Sequence, residues 1–162
     1  MKRASIGLQV HNTDADAIEL VEMPHISTNE MLNKPMCAFW TSTFTGRHGR
    51  IVHSAWNDWA YHNGLLKRKS FLLVPKSDVH VLEIDSYEDY ADAKKLHDAN
   101  NGSIDFGWYA EQGFDGIHVT ERAILECRAF AFEEASMNLR LSLWDVESTS
   151  WFHLRWIADF LS

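Results

Sequence analysis

The chain has 162 residues, 46% of them hydrophobic and 12% aromatic, with a formal net charge of -8. That is enough chain and enough apolar side chain for one domain, residues 1–162, with a genuine core, and it excludes a disordered tail protein. The acidic balance argues against direct nucleic-acid binding, which needs clustered Lys and Arg against the phosphates.

Residues 5–11, SIGLQVH, alternate apolar and polar and predict a first strand ending in His11. The opening MKRASIGLQVH is basic but has no apolar stretch of signal-peptide length. No later run approaches a membrane span, so a cytoplasmic protein without a membrane partner is expected. After AIELVEMP, a short helix or strand, CAFWTSTF at 37–44 is the second clear strand. TGRHGRIVH after it is Gly-punctuated and basic, and predicts a loop. Ser54 is placed to cap a helix through AWNDWAYHN that Gly64 stops.

Residues 70–74 and 79–84 predict strands joined by a turn at Pro75–Asp78. Ser86 with Asp89 three residues on resembles a capping box, opening a helix through YEDYADAKKLHDA. DFGWYAEQG predicts a short helix and DGIHVT a strand. CRAFAFE (127–133) and LRLSLWDV (139–146) alternate and predict two more strands, and the apolar tail WFHLRWIADFLS is expected to pack back on the body. Strands dominate without regular strand–helix alternation, so the fold class is α+β.

Several chemistries lack their signatures. There are nine histidines, yet no HExxH and no paired CxxC, so no metal is expected. Cys37 and Cys127 form no disulfide framework, and both lie in apolar strands where a thiol is usually inert. There is no GxSxG elbow, phosphate loop or GxGxxG. What remains is His11, the hydroxyl run Thr41–Ser42–Thr43 behind Phe39 and Trp40, and LSLWDVESTSW. In that last segment Asp145 and Glu147 are two apart, so a strand would turn both carboxylates to one face. Such a pair repels itself unless a cleft and hydrogen-bond donors compensate, which the 41–43 hydroxyls can supply. Alternation puts Ser42 on one side of its strand and Thr41 and Thr43 on the other, so only one side is expected to meet Glu147.

At these residues the sequence resembles the mono-ADP-ribosyltransferases. That group reads as a first-strand His or Arg, an aromatic and hydroxyl-rich second motif, and a late strand with the catalytic Glu. Here those are His11, Phe39-Trp40-Thr41-Ser42-Thr43 and Glu147, with Asp145 two before the Glu, where many members select the acceptor. NKPMCAFWTSTF, FDGIHVT and WDVESTSWF are also similar to segments of small phage-type proteins. The separation of residues 43 and 147 suits the His–Tyr–Glu branch, with Tyr61 standing in for its tyrosine. The resemblance implies mixed, largely antiparallel split sheets with NAD, as substrate, in the cleft between them. It further implies Glu147, His11 and Asp145 as catalytic residues, and Trp40, Thr41, Ser42, Thr43, Tyr61 and Arg47 as NAD-binding residues. Lys34 and Arg50 are expected beside Arg47 for the pyrophosphate, and the acceptor of ADP-ribose is expected to be another molecule such as a host protein. A different class is a non-enzymatic acidic protein, a phage-type inhibitor or nucleic-acid mimic. It would use Glu83, Asp85, Glu88, Asp89 and Asp92 against a basic partner surface.

Overall fold

The computed structural model describes residues 2–29, 32–95, 103–134, 141 and 144–161. In chain order the elements are β1 (Lys2–Arg3), β2 (Gln9–Thr13), β3 (Ser27–Asn29), β4 (Lys34–Met36), β5 (Phe39–His48), β6 (Ile51–Ser54) and α1 (Ala55–His62). There follow β7 (Lys69–Pro75), β8 (Val81–Ile84), α2 (Tyr87–Lys95), α3 (Phe106–Glu111), β9 (Gly116–Val119), α4 (Glu121–Glu134), β10 (Ser148–Trp151) and β11 (Ile157–Leu161). The chain is α+β: the main sheet runs β1-β8-β9-β10-β5-β2-β7-β11, with β6 paired to β5, and β3 and β4 form a separate ribbon. All neighbours are antiparallel except β8 and β9, whose parallel crossover carries α2 and α3. No helix among the described residues is long and apolar enough to cross a membrane.

Strand β5 is the hinge of this sheet. Phe39–Thr41 pair with β10, while Ser42 and Thr43 pair with β2 on the opposite edge. The sheet therefore divides at residues 41 and 42 into a β1-β8-β9-β10 half and a β2-β7-β11 half. Helices cover one face of the first half, where Leu82, Ile84, Ile117 and Val119 pack on Tyr90, Phe106, Tyr109, Ile124 and Cys127. The other face carries Val81 and Trp151, which pack with Leu73 of the second half and with Trp156. The Trp151 and Trp156 rings stack with centroids 3.8 Å apart. Gly116 lets β9 lie close on β10, because a Cβ there would sit 2.5 Å from the Ser150 carbonyl oxygen.

Several expected boundaries move. His11 lies in the middle of β2, which runs to Thr13. The expected loop at 45–53 is a hairpin: β5 continues to His48, Gly49 turns at φ +60°, and β6 returns. CRAFAFE belongs to α4, since Ala123, Ile124 and Cys127 form a helical stripe facing the core and Thr120 Oγ1 caps Ala123 N–H at 3.2 Å. The period-two pattern there overlaps a stronger helical one. LRLSLWDV lies partly outside the described residues, and the strand begins only at Ser148. AIELVEMP is neither helix nor strand. The caps at Ser54 and Ser86 do form, accepting from Asn57 N–H and Asp89 N–H at 3.1 Å each. Of the second helix, residues 87–95 are helical and the remainder of the expected span lies outside the described residues.

Asn33 ties the ribbon to the core. At φ 47° and fully buried, it donates from Nδ2 to Tyr90 OH at 3.1 Å and accepts Ile104 N–H at Oδ1 at 2.8 Å. Its carbonyl accepts the Trp144 indole N–H at 2.9 Å. Asn tolerates the left-handed region better than Ala, and both side-chain partners, Tyr90 and Ile104, are fully buried. Asn33→Ala is therefore expected to cost about 2–4 kcal/mol in urea unfolding, from the loss of two buried hydrogen bonds plus backbone strain. A loss under about 1 kcal/mol would contradict this role.

Candidate functional site

The site forms where β5 changes partners. With β10 starting only at Ser148, the Thr43 N–H has no strand to meet on that edge. The Glu147 carboxylate takes it instead, at 3.2 and 3.3 Å from its two oxygens. Ser42 Oγ donates to Glu147 Oε2 at 2.7 Å, and Thr43 Oγ1 donates to Oε1 at 2.8 Å. Both neighbours in sequence reach one carboxylate, against the alternation rule. The rule fails here because Glu147 fills the gap in the plane of the sheet rather than standing on either face. Thr41 does not reach it; its hydroxyl accepts the Trp151 indole N–H at 2.7 Å and donates to Gln9 Oε1 at 2.6 Å.

The hydroxyl directions follow from their other partners. Trp56 N–H, in the first turn of α1, donates to Ser42 Oγ at 3.2 Å, and the Ser42 hydrogen has the Glu147 carboxylate at 2.7 Å as its nearer acceptor and the Glu147 carbonyl at 3.1 Å as its farther one. Gln9 presents Oε1 to the Thr41 hydroxyl, whose hydrogen is free for it because the Trp151 indole takes only a lone pair of Thr41 Oγ1. Its Nε2 then faces Thr43 Oγ1 at 3.4 Å, which leaves the Thr43 hydrogen for Glu147 as well.

On the other edge of β5, the β2 ladder stops at Val10 and His11 bridges the opening. Its Nδ1 lies 2.8 Å from the Trp40 carbonyl and its ring stacks on Phe39 at 4.1 Å. A carbonyl only accepts, so Nδ1 carries the hydrogen and Nε2 remains an acceptor. Burial holds the His11 pKa below its ordinary value, outweighing the Trp40 carbonyl, and keeps the ring neutral.

His11 also lines a cavity of about 450 Å³ in the opening. Asn12, Trp40, Trp56, Trp144, Lys34 and Asp145 line it too, as do Val146 and Ser148. Glu147, between those last two, sits just behind the lining with its side chain 14% exposed. The structure thus brings His11, Trp40, Thr41 and Asp145 to the cavity, while Ser42, Thr43 and Glu147 do not line it and are only chain neighbours of the lining residues Thr41, Val146 and Ser148.

Other expected site residues lie elsewhere. Asp145 and Glu147 do not share a strand face, because neither is in a strand. Asp145 is 45% exposed and turns to Lys34, 3.6 Å away, while Glu147 turns into the sheet. Tyr61 is 70% exposed on α1 and does not line the cavity. Arg47 and Arg50 are exposed at the β5–β6 hairpin and do not line it either. No group of three metal-ligating side chains occurs among the described residues. Of the acidic run, Glu83 pairs with Lys2, Asp85 accepts from Thr120, and Asp89 accepts from the Asp85 N–H; Glu88 and Asp92 are the members at the surface. Gln9, Trp56, Trp144 and His118 carry no local sequence signal of their place at the site. Compared with models of protein families, with curated proteins and with solved structures, the chain matches none.

Burial is the first cause of depressed pKa values at His11, His118 and His153. Groups whose folded pKa lies below the ordinary 6.5 bind more protons when unfolded. Their stabilising contribution is complete above that value and is lost as pH falls through the folded values. The melting temperature is expected to rise from about pH 5 to about pH 7 and then level off. A flat profile over that window would contradict it.

Proposed function

We propose that this protein is an enzyme of the mono-ADP-ribosyltransferase type, taking NAD as donor substrate. The observation that carries this is the convergence of Ser42 and Thr43 on Glu147, beside a cavity that His11 lines. The division of the sheet at β5 supports it too, since His11, the hydroxyl pair and Glu147 come from three adjacent lanes, β2, β5 and the entrance to β10.

In the reaction the bond between C1′ of the ribose and the nicotinamide nitrogen breaks, and its electron pair leaves with nicotinamide. The ribose becomes an oxocarbenium ion, the acceptor attacks C1′, and the acceptor's proton is released. Positive charge develops on the sugar, and a carboxylate already held in place by fixed donors stabilises it. Glu147 is suited to that task because three donors hold it in place without any lysine or arginine against it. The neutral His11 offers Nε2 as an acceptor for a ribose hydroxyl, which fixes the sugar's pose. Trp40 and Trp56 give the flat cationic nicotinamide aromatic faces. Lys34 is the cation on the cavity wall for the pyrophosphate, with Asp145 beside it.

Release of nicotinamide from NAD tests this. Glu147→Gln is expected to lower turnover by about 100-fold or more in a chain that still folds, with a lower melting temperature because an amide NH2 replaces one of the accepting oxygens. Ser42→Ala, which frees one carboxylate oxygen, should lower it by about 10- to 100-fold. Unchanged turnover in Glu147→Gln would overturn the assignment. Millimolar NAD or ADP-ribose should also raise the melting temperature of the unmodified protein.

A further inference from the structure

A second titratable side chain touches the Glu147 carboxylate. His118 stands opposite Thr149 in the β9–β10 pair, and Thr149 stands opposite Thr41. On the other side His118 faces Glu83 of β8, and Glu83 faces Lys2 of β1. Residues opposite one another in neighbouring strands put their side chains on one face. Lys2, Glu83, His118, Thr149 and Thr41 therefore make a polar row across the first half of the sheet. The row passes beside Glu147, which is two residues before Thr149. His118 Nδ1 lies 2.9 Å from Thr149 Oγ1 and 3.5 Å from Glu147 Oε1, and the two titratable side chains are only 12% and 14% exposed.

We propose that His118 is a positioning residue for Glu147, and that its protonation withdraws the carboxylate from catalysis. This rests on Glu147 being the group that faces the ribosyl cation. With His118 neutral, the Glu147 charge is held by the Ser42 and Thr43 donors and is available to the developing cation. When solvent protonates His118, Nδ1–H and Oε1 form an ion pair with little water around it, and that charge is neutralised locally.

The surroundings set the balance. Burial depresses the His118 pKa, while the nearby charges of Glu147, Glu83 and Asp85 pull it back up. Glu83 is itself paired with Lys2, and Asp85 has Lys2 at 3.7 Å and Arg122, from α4, at 3.5 Å. Glu147 has no such cation, so it is the negative neighbour whose charge His118 meets least compensated.

Two measurements on the full chain test this. In the pH profile of nicotinamide release from NAD, His118→Gln keeps a donor but cannot titrate. Protonation of His11 also removes activity, so the acid limb of kcat/KM should fall with one proton in His118→Gln and with two in the unmodified chain. An acid limb of unchanged steepness and position would overturn the proposal. Independently, the His118 imidazole is titrated by NMR in the unmodified chain and in Glu147→Gln. Loss of the negative neighbour should lower the His118 pKa by about half a unit or more, and an unmoved value would also overturn it. The titration requires no turnover, so it decides the coupling even on a chain that releases no nicotinamide. If that chain releases none while the shift is found, the enzymatic assignment fails and the His118–Glu147 coupling stands. Where His118→Gln does not fold, the Glu147→Gln titration decides alone.

Discussion

A β-strand cannot leave a sheet partner without leaving backbone hydrogen-bonding groups behind, and buried groups of that kind must find substitutes. Strand β5 exchanges β10 for β2 within two residues, and the substitutes are side chains. Glu147 replaces a strand for the Thr43 N–H, and the His11 imidazole replaces one for the Trp40 carbonyl. The cavity lies in the space the divided sheet leaves open. Of the two residues that close the broken ladders, His11 lines that cavity and Glu147 lies in the chain between its lining residues Val146 and Ser148.

This substitution of side chains for strands explains the polar residues in an otherwise apolar neighbourhood. Gln9, Thr41, Ser42, Ser148, Thr149 and Ser150 are all buried, a poor composition for a core unless every group is paired. The pairing is directional. A donor-only indole at Trp151 and a backbone N–H at Trp56 stand at the far ends, and hydrogens point from them toward the carboxylate. The carboxylate is held by its neighbours' hydrogens rather than by an opposing cation, which leaves its charge unspent.

Local chemistry makes part of this legible in the sequence. The caps at Ser54 and Ser86, the stop at Gly64 and the alternation of 79–84 each rest on a short-range preference, and the corresponding elements form close to where those preferences put them. The association of residues 41–43 with Glu147 can be anticipated because hydroxyls next to bulky aromatics need a partner. What escapes is whatever depends on a distant segment. The gap at β5 exists only because β10 begins at Ser148, so strand alternation, which allows one side of the strand or the other to meet the carboxylate, misses the joint access of Ser42 and Thr43. Asp145 and Glu147 diverge for the same reason. His118 enters through cross-strand register, and Asn33 through its reach to Tyr90 and Ile104, neither of which any local pattern encodes.

The position of β10 also bears on the order in which the molecule is put together. It is the fourth lane of the main sheet, between β9 and β5, yet only β11 follows it in the chain. Until residues 148–151 insert, β9 and β5 present unpaired edges to each other across a vacant lane, open to pairing with other chains. Contacts of such long sequence separation are slow to close. Insertion of this strand joins the two edges and, in the same event, delivers Glu147 to Ser42 and Thr43. The carboxylate site and the continuity of the sheet therefore depend on the same strand.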